Sequence, residues 1–416
     1  MSDKKTISVI GLGIVGLTTA VGFALKGHKV IGIDIEPEKV DMINNKICPM
    51  YEEELSKSIK KVDIFATTDH RQVLNSDISF LCGGTPPKED GSIDLFYLKE
   101  PAKQLAEVLR SKKGYHLIVV RSTVIPGTTE KIIIPIFENQ TNIGVCVNPE
   151  FLREGTAIED FIAPSRIVIG ENDSGAGDIL FNVYKNFQRP IHRTDIKTAE
   201  MIKEASNAFL ATRISFINEI GNTCRELGID VYDVAKGMGY DERIGSEYLR
   251  AGIGFGGFCL PKDISALVSQ AKELGYEPEL LEAVDKLNKQ QPLRMIELLK
   301  RHIPSLANKT IGILGLSFKP GTDDVRKSKA VDVIEALIRE KANIKVYDPQ
   351  AMPNFKKIYP NHIKYSNSDE VLSSDAILII TEWDEFNSLD YRDKIVIDGR
   401  MIPKAKEARI YEGICW

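Results

Sequence analysis

Two stretches of the chain alternate strand-like and helix-like patterns of apolar residues. The first runs from the β-branched ISVIG through a glycine-rich turn and a helically spaced segment ending at Gly27 to a second strand-like run, KVIGID. The second stretch repeats this beginning and end as KTIGILGLS and KVYDP. Each stretch therefore predicts a βαβ unit. Later apolar runs predict further parallel strands at DISFLCGG, HLIVVRST and IGVCVNPE in the first half and at DAILIITEW and KIVIDGR near the end.

The segment between the two units has a different pattern. From Thr198 to Leu227 apolar residues keep helical spacing, proline is absent and Gly228 provides a stop, so one long helix is predicted. The chain is therefore predicted to be an α/β protein with two Rossmann-like doubly wound domains joined by a long central helix and a helical linker domain. The expected boundaries are residues 1–197, 198–300 and 301–416. A long helix between domains commonly forms a dimer contact, so a homodimer or higher homo-oligomer is expected.

The turn of the first unit has three glycines in GxGxxG spacing. They are Gly11, Gly13 and Gly16, and Asp34 ends the second strand. Glycines allow a tight turn and let the backbone approach a pyrophosphate at the helix N-terminus, while the acid can hold a ribose 2′-hydroxyl. The strand context and the distance to the acid separate this motif from an ordinary glycine-rich turn. Because a carboxylate repels a 2′-phosphate, the motif favours NAD over NADP.

Loops that follow the strands of an open parallel sheet form its ligand crevice. In the first unit these loops read GGTPP, STVIPGTT and NPEFLREG. Their polar side chains near the expected nicotinamide end are Thr85, Thr123, Glu150 and Glu154. On the long helix, Lys203 and Asn207 are four residues apart and project from one face, either as a functional pair or as ordinary solvated residues.

The turn of the second unit departs from the first. After Gly315 the third glycine is missing, and SFKPGTDDVR is inserted before the helix. Lys319 and Arg326 in this insertion would supply charge to a pyrophosphate, so a different phosphate ligand is predicted. The alternative is a duplicated domain kept only for packing or dimerisation. Two nucleotide-type units around a helical linker imply a redox cofactor and a nucleotide-bearing substrate that meet in an inter-domain cleft.

Composition narrows the class of protein. The 416 residues are 43% hydrophobic and 27% charged, with a net charge of −5 and dispersed basic residues, so neither nucleic acid nor a membrane surface is an expected partner. No apolar run reaches the length of a membrane span and no cleavable signal pattern is present, so a cytoplasmic address is expected. Six scattered cysteines without a CxxC pair argue against zinc and disulfides, and no metal is expected.

The stretch GIGFGGFCLPKD places Cys259 directly after a glycine-rich loop. Taken alone, a cysteine beside a tight turn is more often a packing residue than a nucleophile. Three features favour the nucleophile: the glycines remove side chains that would block a substrate, Lys262 can lower a thiol pKa, and Asp263 adds a titratable group. A thiol here could trap an aldehyde as a thiohemiacetal, whose oxidation gives a thioester that water hydrolyses to an acid.

Together these motifs resemble one enzyme family, in order and over essentially the whole chain. The chain is similar to the UDP-glucose/GDP-mannose dehydrogenase family in GLGIVG, GTPP, STVIPGTT, NPEFLREGTAIEDFIAPSRIVIG, EASNAFLATRISFINEI, GIGFGGFCLPKD and GLSFKPGTDDVR. The resemblance implies a two-step, four-electron oxidation of the C6 alcohol of UDP-glucose to the carboxylate of UDP-glucuronate. Two NAD would be reduced, and a thioester would form on Cys259.

The resemblance also implies the residues of each site. Contacts with NAD are implied for Gly11, Gly13, Gly16, Asp34, Lys39, Thr85, Thr123, Glu154, Lys262 and Arg326. Contacts with the UDP-sugar are implied for Glu150, Phe151, Leu152, Arg153, Glu154, Lys203, Asn207, Tyr248, Leu249, Arg250, Ala251, Gly252, Gly256 and Lys319. Arg243 is implied to reach into the neighbouring subunit's site.

The expected catalytic residues are Cys259, Lys203, Asn207, Asp263, Glu154 and Thr123. Lys203 and Asn207 suit stabilisation of the developing alkoxide and of the thiohemiacetal oxyanion. Asp263 and Thr123, through a water, suit proton removal from the C6 hydroxyl, and Glu154 suits activation of the water that cleaves the thioester. The division of labour between Asp263, Lys203 and Glu154 is left open by the sequence.

Other functions stay open beside this one. A 6-dehydrogenase of a UDP-N-acetylhexosamine is the nearest alternative, although PEFLREG resembles the glucose branch of the family. A non-catalytic NAD- or nucleotide-binding scaffold would keep both nucleotide folds, but it would not need Cys259, Lys203, Asn207 and Asp263 together. A simple two-electron dehydrogenase would keep the glycine fingerprint without the cysteine loop.

Overall fold

The computed structural model describes residues 4–416, and the chain divides into two compact units. The first unit ends at Ser206, and the second runs from Asn207 to Trp416. The predicted three-part division at residues 197 and 300 is finer than these two units and stays a prediction. Within the described residues, no helix is both long and apolar enough to cross a membrane.

The first unit is a sheet flanked by helices. Within residues 4–206 the strands are β1 (Thr6–Ile10), β2 (Lys29–Ile33), β3 (Ile64–Thr67), β4 (Ile78–Leu81), β5 (His116–Val120), β6 (Ile143–Val147), β7 (Ile167–Glu171) and β8 (Ile191–Thr194). The helices are α1 (Ile14–Leu25), α2 (Pro37–Asn44), α3 (Glu53–Ile59), α4 (Phe96–Leu109), α5 (Ala157–Ile162), α6 (Ser174–Tyr184) and the first part of α7 (Ile196–Leu227). The predicted βαβ unit is β1, α1 and β2, whose strands are largely buried as central parallel strands must be.

The sheet of the first unit has the strand order β3-β2-β1-β4-β5-β6-β7-β8. The order reverses between β1 and β4, as in doubly wound folds, so the ends of β1, β4, β5 and β6 lie along one ligand-binding edge. The sequence predicted only parallel strands, whereas β7 pairs antiparallel with β6. Residues 148–166 stay at this edge instead of crossing back over the sheet, so the strand that follows them runs the opposite way.

The second unit contains a smaller sheet and most of the helices between the two predicted βαβ units. Within residues 207–416 the strands are β9 (Thr310–Leu314), β10 (Asn343–Tyr347), β11 (Lys364–Tyr365), β12 (Ala376–Ile379), β13 (Ile395–Asp398) and β14 (Ile410–Gly413). The helices are the remainder of α7, α8 (Val231–Gly239), α9 (Cys259–Glu273), α10 (Glu279–Gln290), α11 (Arg294–His302), α12 (Lys329–Arg339), α13 (Met352–Ile358) and α14 (Ser368–Leu372). The sheet is parallel, with the order β11-β10-β9-β12-β13-β14, and it repeats the arrangement of β3 to β6.

A small apolar cluster of the second unit supports the loop before Cys259. Ala211 on α7, Phe255 in the loop, Ile264 on α9 and Val284 on α10 are all buried and pack together. Asn288 fixes the same loop, since its side chain both accepts from Phe255 N at 2.8 Å and donates to Phe255 O at 3.0 Å. Three helices therefore hold the loop that leads into α9.

Candidate active site

The glycine turn after β1 has the geometry of a phosphate cradle. Gly11 has φ +86°, and its N–H donates to Ile33 O at 2.8 Å, which closes the turn. A Cβ at Gly16 would lie 1.8 Å from Gly11 O, so only glycine lets α1 start this close to β1. At Gly13, by contrast, no described atom lies within 4 Å of the position a Cβ would take. Open space therefore faces the N-terminus of α1, where the dipole and N–H groups favour an anion.

Asp34 lies beside this turn at the end of β2. Its carboxylate accepts from Leu12 N at 2.7 Å and from Glu36 N at 3.1 Å, and Lys39 Nζ lies 3.1 Å away. Although burial by itself lowers it, the pKa of Lys39 is raised overall because Glu36 and Asp34 favour the ammonium. Asp34 and Lys39, which the resemblance implies as NAD contacts, are thus brought together beside the glycine turn.

The loops after β4 and β5 bring the two predicted threonines into contact. Thr85 is buried, and its hydroxyl donates to Thr123 O at 2.9 Å. The Ser122 hydroxyl ties the same loops by donating to Gly83 O at 2.7 Å. Thr85 and Thr123 therefore lie at the ligand-binding edge of the sheet, as predicted from their position after strands.

Glu150 and Lys203 form a buried ion pair in the first unit. Glu150 Oε1 and Lys203 Nζ are 3.1 Å apart with side chains 6% and 5% exposed, and the other carboxylate oxygen accepts from Leu152 N at 2.5 Å. Burial alone would raise the pKa of Glu150, but Lys203, the Leu152 N–H and Arg121 lower it overall. Glu150 is thereby held as a carboxylate that anchors the lysine ammonium.

The segment after Glu150 shows where the remaining residues of PEFLREG lie. Lys203 Nζ is 5.4 Å from the centroid of the half-buried Phe151 ring. The exposed Arg153 makes a bidentate pair with Asp160, at 2.7 and 3.0 Å. Glu154 is half-buried, and the neighbouring Gly155 N donates to Glu52.

In the second unit, Cys259 is the first residue of α9. Of the six cysteines, all within residues 4–416, only Cys259 is exposed. Burial raises the pKa of Cys82, Cys146 and Cys415 to about 12, so these thiols stay protonated. Since a helix N-terminus favours the thiolate form of a cysteine, Cys259 has the exposure and the location of a nucleophile.

Behind Cys259 lies a buried polar cluster made of Asn207, Lys262 and Asp263. Asn207 Nδ2 donates to one Asp263 oxygen at 2.5 Å, and Lys262 Nζ donates to the other at 2.5 Å. Lys262 and Asp263 follow Cys259 by three and four positions on α9, so they lie on the same helix face. Three of the predicted residues therefore form one network beside the thiol. Lys203 and Asn207 both lie on α7, four residues apart, and both are buried.

The glycines of the cysteine loop pack closely against other parts of the second unit. A Cβ at Gly252 would lie 2.6 Å from Gly399 O, and a Cβ at Gly256 would lie 2.4 Å from Lys327 O. Gly257 N donates to Arg326 O at 3.1 Å. Glycine is therefore needed at 252 and 256 for packing, and the prediction that these glycines also keep a path open for substrate stays a prediction. They let the loop pack against backbone elsewhere in the second unit.

The predicted cations of the second unit lie on the insertion after β9. Arg326 forms a bidentate pair with Asp324, and its guanidinium carbon lies 4.5 Å from the centroid of the Phe258 ring, next to Cys259. Lys319 Nζ lies 5.7 Å from the Phe318 ring. The insertion therefore contacts the cysteine loop directly.

The segment from Arg243 to Gly252 is exposed at its start and is buried and hydrogen-bonded at its end. Arg243 is 88% exposed and pairs with Asp241. Tyr248 has φ +61°, and Leu249 and Ala251 are buried. Gly252 N donates to Asn218 Oδ1 at 2.8 Å, which fixes the end of the run to α7.

Sequence reasoning missed Arg400, which follows β13. Its guanidinium donates to Ile380 O at 2.8 Å and lies 3.2 Å from Glu382, and Arg250 donates to its carbonyl at 3.4 Å. Arg400 therefore joins the loops after β12 and β13 to Arg250, one of the residues implied to contact the UDP-sugar. The strand-end rule that selected Thr85 and Thr123 would have found it in IVIDGR, had it been applied to the second βαβ unit.

Family models match three consecutive parts of the chain. The descriptions are the NAD binding domain (residues 5–188), the central domain (197–290) and the UDP binding domain (312–405) of the UDP-glucose/GDP-mannose dehydrogenase family. The chain belongs to this family. The resemblance inferred from the motifs is thus confirmed, and so are the fold class and NAD as the cofactor of an oxidoreductase.

Individual members of the family are similar over nearly the whole chain. A UDP-glucose 6-dehydrogenase of Haloferax volcanii is 41% identical over 98% of this chain and 99% of its own. A GDP-mannose 6-dehydrogenase of Pseudomonas savastanoi is 37% identical over 99% of this chain and 100% of its own. The solved structure of a UDP-glucose dehydrogenase from Pyrobaculum islandicum superposes with a TM-score of 0.97 at 40% identity, covering 100% of this chain and 98% of that one.

Proposed function

We propose that this chain oxidises UDP-glucose to UDP-glucuronate in two NAD-dependent steps, with Cys259 as the covalent nucleophile. The observation that carries the proposal is the exposed thiol at the start of α9, backed by the Asn207–Asp263–Lys262 network. It occurs in a chain whose family matches are to NAD- and UDP-binding domains. The relatives named as UDP-glucose 6-dehydrogenases, at about 40% identity, support this substrate class.

The chemistry divides into two oxidations joined by a covalent intermediate. The glycine turn after β1 and Asp34 would hold NAD, which would supply the hydride acceptor for both oxidations. Removal of the C6 hydroxyl proton, with Asp263 and Thr123 acting through a water, accompanies the first and yields an aldehyde. The Cys259 thiolate adds to that aldehyde, and loss of the second hydride from the thiohemiacetal leaves a thioester. Water, activated by Glu154, then releases the carboxylate and restores the thiol.

Lys203 and Asn207 suit oxyanion stabilisation better than proton abstraction. Glu150 lies 3.1 Å from Lys203 Nζ in a buried pair, which favours the ammonium form. The Asn207 amide uses one N–H on Asp263 and has a second N–H to donate. Preorganised donors of this kind contribute most where negative charge develops on oxygen.

The charges after β9 and β13 suit the diphosphate of the substrate. Lys319, Arg326 and Arg400 follow strands of the unit whose family match is the UDP binding domain. We also propose the homodimer expected from the long helix, with Arg243 reaching the neighbouring subunit's site. Light scattering that reports a monomer at working concentration would remove that part.

The decisive experiment counts NADH per sugar with purified protein and a panel of UDP-glucose, GDP-mannose and UDP-N-acetylhexosamines. Two NADH per UDP-glucose, with the other sugars slower, is the expected result. One NADH per sugar would indicate a simple alcohol dehydrogenase, and none with any sugar would indicate a binding protein.

A variant separates the covalent step from binding. Cys259→Ser is expected to reduce acid formation by at least about a thousandfold while NAD affinity is unchanged. The matched control is Cys48→Ser, a thiol of the first unit that takes no part in the proposed chemistry. A fully active Cys259→Ser enzyme would contradict the thioester mechanism.

A further inference from the structure

Arg166 lies at the ligand-binding edge of the first unit, although the predicted site does not include it. It directly precedes β7, which pairs antiparallel with β6, with Val147 opposite Gly170. The start of β7 therefore lies at the edge where β6 ends and where the segment containing Glu150 begins. Its guanidinium carbon is 3.7 Å from the centroid of the Phe151 ring, a stacking distance.

The charge of Arg166 is not neutralised by a neighbouring acid. Its two terminal nitrogens donate to neutral hydroxyls, those of Ser165 at 3.1 Å and Ser206 at 3.0 Å. Among residues 4–416, no carboxylate lies within ion-pair distance of it. Partial burial lowers the pKa of Arg166, and no acidic side chain offsets that effect. The nearby Lys203, by contrast, is paired with Glu150.

A half-buried arginine with neutral partners, fixed by a ring on one side and a serine on the other, has the features of an anion-binding group. The pyrophosphate of NAD is too far away to be that anion. It belongs at the turn after β1, and β7 is the fourth strand along from β1, or roughly 19 Å at the usual strand spacing. The diphosphate of the sugar nucleotide belongs with the UDP binding match at residues 312–405.

The remaining anion is the one that the reaction creates. The substrate has a neutral alcohol at C6, and the product has a carboxylate there. Lys203, which we assign to the reacting C6 group, contacts the same Phe151 ring as Arg166. We propose that Arg166 binds the C6 carboxylate of the uronate product, an assignment that rests on the proposed function.

The test compares product with substrate in the full-length enzyme. In Arg166→Gln, the inhibition constant of UDP-glucuronate is expected to rise about tenfold, while the KM of UDP-glucose and the Kd of UDP change less than about twofold. Arg166→Lys keeps the positive charge but lacks the planar guanidinium that can donate two parallel hydrogen bonds to a carboxylate. It is expected to recover part of the product affinity. Arg189→Gln, which removes the same charge from an exposed position of the same unit, is expected to leave all three constants unchanged.

Two results would overturn the assignment. If the constants for UDP-glucuronate and UDP-glucose rise together, Arg166 only orients Phe151, and if neither moves, Arg166 binds no part of the ligand. NAD affinity and the melting temperature are measured in parallel, and Arg166→Lys takes the place of the glutamine variant if the latter fails to fold. Failure of the proposed function is seen separately, as the absence of two NADH per UDP-glucose in the unmodified enzyme.

Discussion

The two βαβ units share one backbone plan and use it differently. Gly11 and Gly315 both have positive φ and both donate an N–H across the turn at 2.8 Å, to Ile33 O and Tyr347 O. After Gly11, helix α1 starts within three residues, at Ile14. After Gly315, the chain continues through the insertion and α12 starts only at Lys329. A short turn presents a helix N-terminus to a ligand, whereas a long one provides a surface for another loop.

The acid at the end of the second strand shows the difference most clearly. Asp34 is 7% exposed and shares its carboxylate among two backbone N–H groups and the Lys39 ammonium. Asp348 is fully buried and accepts from four backbone N–H groups, a serine hydroxyl and the Trp383 indole. With every acceptor position taken, Asp348 is a structural residue. The same topological position therefore serves the fold in the second unit, whereas in the first unit we propose that it serves NAD.

Neutralising each acid in turn tests most directly whether Asp34 and Asp348 have different roles. Asp348→Asn is expected to destabilise the second unit by about 3 kcal/mol, because the amide NH₂ would face backbone donors and lose charge-assisted bonds. Asp34→Asn is expected to weaken NAD binding about tenfold with a smaller loss of stability. Urea unfolding and NAD titration of both variants measure the two effects. Equal losses of stability would show that both acids are structural.

A second test concerns the loop that the insertion supports. In Gly256→Ala the new Cβ would lie 2.4 Å from Lys327 O, so the cysteine loop must move away from the insertion. A displacement of this kind is expected to reduce kcat about a hundredfold while NAD affinity stays unchanged. Gly237→Ala on α8 is the control, since no described atom lies within 4 Å of its Cβ position. An active Gly256→Ala enzyme would mean that the loop position does not matter for Cys259.

Periodicity and turn chemistry predicted the elements whose pattern is local. The central helix was predicted from Thr198 to Leu227 and is found as Ile196–Leu227, and the glycine fingerprint and Asp34 lie together as expected. Strand direction has no periodic signal, so the antiparallel β7, which brings Arg166 to the ligand edge, was not predicted. The role of Gly256 was also missed, because it depends on Lys327, a residue far away in the sequence.

The interiors of the two sheets differ in a way that pH can reveal. Ser8, Ser79 and His116 form a buried chain, with hydroxyls 2.6 Å apart and His116 Nε2 2.7 Å from Ser79 Oγ. In the second sheet the strand pair matching Ser8 and Ser79 is Gly312 and Ile377, without hydroxyls. Burial lowers the pKa of His116 to about 3.

The first unit is therefore expected to be sensitive to mild acid. A histidine that stays neutral in the fold stabilises it fully above its unfolded pKa of about 6.5, and this contribution is lost as pH falls toward 3. Between pH 6.5 and 5 the free energy of unfolding is expected to fall by about 2 kcal/mol. As the pH falls over this range, the protection of backbone amides from hydrogen exchange should decrease more in β5 than in β13. His116→Gln should flatten the dependence, and the exposed His192→Gln should not.

The smallest expected effect is at Lys39, which has no counterpart beside Asp348, where the corresponding residue is Pro353. Its ammonium lies 3.1 Å from Asp34 and 2.9 Å from Glu36, with the side chain 19% exposed. Lys39→Met is expected to weaken NAD binding about threefold, since partly exposed ion pairs contribute about 1 kcal/mol or less. NADP binding should fall by a larger factor, because Asp34 would then oppose the 2′-phosphate without a neighbouring cation. Fluorescence titration of both cofactors, with the exposed Lys60→Met as control, tests this, and tighter NADP binding would contradict it.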